Sequence, residues 1–325
     1  MTFWKLSAGT AFVIGKKTVK SDALPTTGYI MLGEKCRNNC RFCAQARESS
    51  AKDNLLSRVT WPSMPAVEAS AGVAAAYAAG RIKRACLQVV NSGDSCESAA
   101  KAIRDLHSGS QVPVCVSSHL DTPEQAGRLL AAGADRICIA LDGATPAVFR
   151  VAKDGEWLKK WELLLQCASR FPGRVTTHLI VGLGETEAEM VDRIAACIEH
   201  DITVGLFAFT PVKGTAWEGQ SAPSIGRYRR VQIAHYLLKL GHGREVIRCD
   251  HGRITGFTLP AVTSLLADGK AFETTGCPDC NRPYYNERPG GLMYNYPRAL
   301  TPGEVKVAIR ECEVIGVEHD VLACP

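Results

Sequence analysis

Three cysteines, Cys36, Cys40 and Cys43, stand together in the run GEKCRNNCRFCAQA. Three thiolates at this spacing can hold three corners of a cubane iron–sulfur cluster. Such clusters usually take four cysteines, so the fourth iron is left without a protein ligand. An open coordination position is what separates a catalytic metal site from a structural one. A zinc knuckle is the plainer alternative. It needs a fourth ligand nearby, and the next cysteine, Cys86, and the next histidine, His107, lie far along the chain.

The spacing, with Phe42 directly before the last cysteine, resembles the signature of the radical S-adenosylmethionine (SAM) superfamily. The resemblance implies a [4Fe–4S] cluster on Cys36, Cys40 and Cys43, with SAM chelating the open iron through its amino and carboxylate groups. An electron from the cluster then breaks the sulfonium bond and releases a 5′-deoxyadenosyl radical. The run Asn91-Ser92-Gly93-Asp94 resembles the turn that holds the SAM amino group, making Ser92, Gly93 and Asp94 candidate contacts; a helix N-cap is the alternative. Residues 178–186 resemble a glycine-rich strand motif of the superfamily. There Gly182 and Gly184 would let a flat adenine ring approach the backbone. Residues 209–215 resemble the corresponding segment of biotin synthase and its relatives. Pro211 lacks an N–H and ends a strand ladder, which frees backbone groups for an adenine edge. Asp142 is a candidate for a ribose hydroxyl, and Arg150 or Lys153 for the SAM carboxylate. A helix cap and solvated helix charges are the alternatives.

A second cysteine group lies in residues 274–286, TTGCPDCNRPYYN. A CxxC pair lets two sulfurs reach one metal or cluster. A thioredoxin-like redox pair would open a helix, and Pro283 argues against one. Zinc would require two further ligands. Cys312 or Cys249 would complete either site, with Cys324 in the tail a remoter choice. The reading adopted is an auxiliary [4Fe–4S] cluster on Cys277, Cys280 and Cys312, with a structural zinc as the alternative.

Much of the chain from Gly28 onward resembles the biotin synthase branch of the superfamily. Cys86 and Cys115 fall where that enzyme keeps two auxiliary-cluster cysteines, but its third corresponds to Thr176 here, and Ala140 stands near its substrate-facing asparagine. Cys86 and Cys115 are therefore expected to be small core residues. The run CPDCNRPYYNERPGG, followed by Tyr294-Asn295-Tyr296-Pro297-Arg298, resembles the two-component lipoyl synthases of archaea and some sulfur-metabolising bacteria. The single-polypeptide lipoyl synthase carries a CxxxxCxxxxxC motif before its SAM cluster, and none stands before Cys36. The resemblance implies sulfur insertion into an octanoyl chain on a lipoyl-type carrier protein or peptide, as one of two cooperating synthases. It also implies a sacrificial auxiliary cluster, a partner synthase and a low-potential electron donor. Asn281, Arg282, Tyr284 and Tyr285 would then orient the chain beside the donor. The alternatives are a biotin-synthase-like enzyme acting on a small molecule and, in a different class, a metal-binding scaffold.

These residues must be positioned by a fold. The chain has 325 residues, 46% apolar and 22% charged, the make-up of an ordinary globular protein. Lys and Arg exceed Asp and Glu by 38 − 33 = 5, too few and too dispersed to suggest nucleic acid. No apolar stretch spans a bilayer and no export signal is read at the N-terminus, so a cytoplasmic location is expected. Fourteen cysteines then argue for metal chemistry over disulfides. Strand-like runs at 28–32, 85–90, 112–117, 136–141, 175–181, 204–209, 245–249 and 271–275 alternate with helical segments at 65–79, 97–106, 123–132, 157–170, 188–200, 228–240 and 259–267. This rhythm predicts an α/β fold, a parallel (βα)8 TIM-like barrel with its site at the C-terminal strand ends, which the resemblance implies is a radical SAM barrel. An open six-unit barrel is the alternative. Residues 1–26 form an N-terminal extension with a hairpin near Gly15, and residues 27–325 a single barrel domain capped by a helix at 302–316.

Overall fold

The computed structural model describes residues 2–18, 23–287 and 290–314. A short strand, β1 (Phe3–Leu6), leads to the first parallel strand, β2 (Thr27–Leu32). A two-residue hairpin, β3 (Leu55–Leu56) and β4 (Val59–Thr60), precedes β5 (Ser63–Pro65). The remaining parallel strands are β6 (Arg84–Val89), β7 (Val114–Ser117), β8 (Ala134–Cys138), β9 (Val175–Val181) and β10 (Thr203–Ala208). They form one sheet in the order β10-β9-β8-β7-β6-β2-β1-β5, with β1 and β5 antiparallel.

Every residue of β2 is buried, as a strand covered on both faces should be. Outward residues of the parallel strands, such as Ala85, Leu87, Val114, Val116 and Ile137, join the main core beneath the helices. Those helices start where the sequence supplies caps. The side chains of Thr122, Thr145, Thr186, Ser224 and Thr301 each accept a backbone N–H three residues on. Proline follows three of those threonines at the first helical position, where its missing N–H costs nothing. Among the described residues, no helix is long and apolar enough to cross a membrane.

The α/β class and the parallel sheet are as expected, but six strands run parallel rather than eight. The segment expected as a seventh strand becomes β11 (Ile247–Asp250), paired antiparallel with β12 (Arg253–Phe257). His251 and Gly252 both adopt positive φ there, the geometry of a two-residue hairpin turn. The expected eighth strand is a single 3-10 turn, Lys270–Phe272. Among its described residues the N-terminal segment makes no hairpin of its own. Its strand β1 pairs with β2 and β5, and a short helix, Ala8–Val13, ends at Gly15 (φ 79°), where Lys16 N–H bonds back to Ala11 O at 2.8 Å. The C-terminal helix runs Pro302–Arg310; residues 315–316 of its expected span, and Cys324, lie outside the described residues.

Among the described residues no seventh or eighth parallel strand continues the sheet, and the loop 274–286 fills the gap between β10 and β2. On one side Leu206 N–H donates to Thr275 Oγ1 (2.9 Å), and Asn286 Nδ2 donates to Ala208 O (2.8 Å). On the other, Thr26 N–H donates to Asn281 Oδ1 (2.9 Å), and Arg282 N–H donates to the Tyr29 hydroxyl (2.8 Å). The loop that carries the CxxC pair is therefore the closing wall of the barrel.

A second apolar cluster gathers Ile233, Leu237, Val262, Leu266, Phe272, Val305, Ile309 and Cys312. The helix Ile225–Lys239 also buries His235, where burial, with Lys239 adding, pushes the imidazole down from 6.5 to about 4. The unfolded chain takes up this proton near pH 6.5, whereas the native state resists it until about pH 4. The stabilisation is thus complete above 6.5 and is lost as pH falls towards 4, by about 3 kcal/mol. Urea unfolding of the apo chain at neutral and mildly acid pH should show this loss. His235→Gln should reduce the dependence, leaving the part due to His178, which burial also pushes down to about 4; an unchanged slope would refute the assignment.

Candidate active site

The three-cysteine loop follows β2 at the C-terminal edge of the sheet and is anchored to the loops around it. Arg37 N–H donates to Asn91 O (2.8 Å), Arg41 N–H to Ala152 O (2.9 Å), Asn39 N–H to the Asp154 carboxylate (2.9 Å) and Ser50 N–H to Gly214 O (2.9 Å). Gly214 has φ 88°, and a Cβ there would stand 2.4 Å from the Ala51 nitrogen, so only glycine lets these two loops touch. Within the loop Cys36 N–H donates to Gln45 O (3.0 Å) and Cys43 N–H to Cys40 O (3.1 Å). The fold thereby brings all three cysteines, half-exposed, into one cavity of about 180 Å³ with Asn38, Asn91, Lys153 and Asp154.

Burial, reinforced by the neighbouring Cys40, pushes the Cys43 thiol up to about 12. Burial raises Cys40 as well, against the nearby Lys153 ammonium. Free, these thiols hold their protons at neutral pH, so metal loading must release them. Among the described residues, no group of three or more His, Cys, Asp or Glu converges tightly enough to hold a single metal ion. A cubane cluster, with one iron at each thiolate, takes its ligands further apart, and three adjacent thiols fit it; among the described residues the cavity holds no fourth cysteine.

The other expected contacts fall unevenly. Phe42 packs with Val148, Ala152, Leu183 and Phe209 beside the cysteines. Ser92 Oγ accepts from Glu34 N–H (3.3 Å), which sets the 91–94 turn against the cysteine loop. Gly93 sits in that turn at φ 52°. Asp94 caps the helix Ser95–His107 by accepting from Glu97 N–H (3.0 Å), and is exposed. Asp142 pairs with Lys153 at 2.6 Å, each about an eighth exposed, whereas Arg150 is exposed. Gly182 has φ 103°, and its N–H is taken by Glu185 Oε1 (2.8 Å), itself paired with Arg227. Pro211, with Val212 and Lys213, lines a different cavity of about 490 Å³ that opens beside residues 7–9 and 23–25.

The second cysteine group differs most from expectation. Cys312 is fully buried in the second apolar cluster, its thiol donating to Ala308 O (3.3 Å). It does not share the cavity of Cys277 and Cys280. Cys249 lies on the β11 hairpin beside Arg244. The residues that do meet the CxxC pair are Cys86 and Cys115, read from sequence as core filler. They are register partners on the adjacent strands β6 and β7, and both face a cavity of about 240 Å³ with Cys138, Cys277 and Cys280. Cys43 lines the same cavity, together with Asp142, His178, Ile180, Phe207 and Tyr285.

Cations surround these thiols. Arg84 Nη1 donates to Cys115 Sγ (3.2 Å) and pairs with Asp135. Arg282 stacks on Phe207, 3.8 Å from its centroid, and bonds the carbonyls of Leu206 and Thr275. Tyr29 Oη lies 3.4 Å from Cys280 Sγ. The neighbouring Cys115 thiol and the Arg84, Arg136 and Arg282 cations lower Cys277, while Cys115 is pushed the other way. Burial pushes His178 down to about 4, so at neutral pH it adds no charge to the cavity.

Several known proteins resemble this chain. A biotin synthase of Cyanothece sp. is 25% identical over 261 residues, covering 75% of this chain and 67% of that protein. An uncharacterized protein of Methanocaldococcus jannaschii is 26% identical over 152 residues, covering 42% and 40%. Two solved structures share the fold at 14% identity. They are the FeFe-hydrogenase maturase of Carboxydothermus hydrogenoformans (TM-score 0.52) and a methylornithine synthase (TM-score 0.50). The matches cover 66% and 65% of this chain, but 51% and 62% of theirs, so the chain spans about half the length of the maturase. The sequence profile described as the Radical SAM superfamily matches residues 30–197, more than half of the chain and the stretch that holds Cys36, Cys40 and Cys43. The chain belongs to the radical SAM superfamily, whose chemistry runs on a [4Fe–4S] cluster and SAM.

Proposed function

We propose that this protein inserts sulfur into an unactivated aliphatic chain, namely an octanoyl group on a lipoyl-type carrier protein, as one of two cooperating synthases. One observation carries the reading. A single cavity is lined by Cys43 of the cluster motif and by five further thiols, with apolar side chains between them. Cys36, Cys40 and Cys43 would hold the cluster that binds SAM, and Cys277 and Cys280 would contribute to a second, sulfide-donating one. When bound, the first cluster and SAM supply a carbon radical able to remove hydrogen from an alkyl C–H bond.

The chain's own residues keep that chemistry confined. Phe42, Ile180, Phe207 and Tyr285 give this cavity apolar walls, which would shield a reactive radical from polar side chains. The larger cavity shares Tyr29, Ser57, Arg282 and Tyr285 with the first, and offers a mainly apolar way in for an acyl chain. Ser57 Oγ donates to Tyr285 O (2.7 Å), fixing the residue that stands between them. The reacting carbon must lie close to both partners, so the wall at Tyr285 sets its depth.

Mass spectrometry of an octanoylated carrier peptide after anaerobic turnover, with SAM and a strong reductant, tests the proposal; one added sulfur is expected. An unmodified peptide alongside released 5′-deoxyadenosine would overturn it and favour a small-molecule substrate, as in a biotin-synthase-like enzyme. Tyr285→Ala should keep its iron but waste SAM. The 5′-deoxyadenosine formed per sulfur inserted should rise severalfold, and an unchanged ratio would remove Tyr285 from the wall's role.

A further inference from the structure

We infer that the second cluster is held by four protein thiolates, Cys86 and Cys115 from the sheet and Cys277 and Cys280 from the closing loop. The inference rests on the two-cluster part of the functional reading and not on its substrate.

Two strand cysteines in register on neighbouring parallel strands send their side chains to the same face, about 4.8 Å apart at the backbone. That face is the cavity. The CxxC loop lies directly over them. Arg84, on the same strand face as Cys86, donates through Nε to Pro278 O (3.1 Å) between the two loop cysteines and through Nη1 to Cys115 Sγ (3.2 Å). A CxxC pair supplies two ligands of one cluster and leaves two to be found elsewhere. Here they stand on a rigid sheet, where cluster ligands are best fixed.

Charge agrees with geometry. An iron–sulfur cluster with four thiolates is anionic. Around these four sulfurs stand Arg84, Arg136 and Arg282, with Asp135 the carboxylate that pairs with Arg84. Arg282 in particular bonds two carbonyls and an aromatic face, with no carboxylate among its hydrogen-bond partners in the described residues. An enclosed cation so placed is stabilised by an anionic neighbour. Cys138 is the near competitor. It sits one strand further, in register with Ser117 and Thr176.

Four ligands close the site, so SAM has no iron to chelate there. The ligand set also ties the 274–286 loop to β6 and β7 across the open side of the barrel.

The test uses the full chain with Cys36, Cys40 and Cys43 replaced by alanine, reconstituted anaerobically with iron and sulfide. About four irons per chain should remain, with an electron paramagnetic resonance signal that SAM does not alter. Adding Cys86→Ala, Cys115→Ala, Cys277→Ala or Cys280→Ala should each cut bound iron by more than half. Cys138→Ala and Cys312→Ala should leave it unchanged. Cys86→Ser and Cys115→Ser, close in size to the native residues, guard against misfolding and should at least shift the signal. Full iron with an unshifted signal in the serine variants, or iron lost with Cys138→Ala or Cys312→Ala, overturns the assignment. If these variants behave as expected while the octanoyl peptide gains no sulfur, the ligand set stands and the functional reading falls.

Discussion

Replacing Cys40 with alanine is expected to abolish reductive cleavage of SAM, a loss of more than ~10³-fold. Anaerobically reconstituted protein should bind about four irons fewer per chain. The size of the effect follows from how the loop is held. Cys40 sits between two backbone anchors, Asn39 N–H on Asp154 and Arg41 N–H on Ala152, so its position is set by the fold. Among the described residues, the other thiols of its cavity are Cys36 and Cys43, both already needed as ligands. No spare thiol stands by to replace it. The second thiol group faces the other cavity, so its iron should survive, giving a variant with one cluster and no 5′-deoxyadenosine release. A Cys40→Ala protein that still cleaves SAM at a comparable rate would remove the three-cysteine loop from the chemistry.

Much of this site is written in the parity of the strands. In β6, Arg84, Cys86 and Gln88 alternate with Ala85, Leu87 and Val89. Along the neighbouring strands Cys115 and Ser117, then Arg136 and Cys138, alternate with Val114, Val116 and Ile137. The apolar series turns to the helices, and most of the other series lines the cavity. Polar and sulfur-bearing residues at period two in strands buried on both faces mark an interior that binds something. Read that way, Cys86 and Cys115 announce themselves. Cys312 carried the opposite signal, since Val305, Ala308, Ile309 and Cys312 recur at helical spacing and form a buried stripe. What no local pattern could supply is the closure. The contacts of Thr26 with Asp279 and Asn281 join residues more than 250 positions apart. Two short β-like runs after β10 look in sequence like the strands that would complete a barrel. The turn at His251-Gly252 diverts the first into a hairpin, and the second makes one isolated parallel bridge, Glu273 with Tyr296, instead of joining the sheet.

The Asp142–Lys153 pair joins the fold to the three-cysteine cavity most directly, and breaking it should be costly. Asp142 is pinned by its backbone: its N–H donates to His178 O (2.7 Å), and its carbonyl accepts from Ile180 N–H (2.9 Å). It adopts φ 63°, a conformation that aspartate tolerates better than most residues. Its carboxylate is almost enclosed and lies 2.6 Å from the Lys153 ammonium. That ammonium also donates to Ala140 O and lines the cavity of Cys36, Cys40 and Cys43. Lys153→Met would strand a buried carboxylate, a loss of about 3–5 kcal/mol. Asp142→Asn/Lys153→Met should recover much of it, because neither partner then carries a charge. Thermal unfolding of both single variants and the double closes the cycle, and simple additivity would show that the pair does not couple. Affinity for SAM should separate the two roles. A lysine keeps a third donor beyond Asp142 and Ala140, and if that donor takes a SAM carboxylate, SAM binding should fall about tenfold or more in Lys153→Met. The stability regained in the double variant should not bring the affinity back. Recovery of both together would mean that Lys153 holds Asp142 in place and touches no substrate.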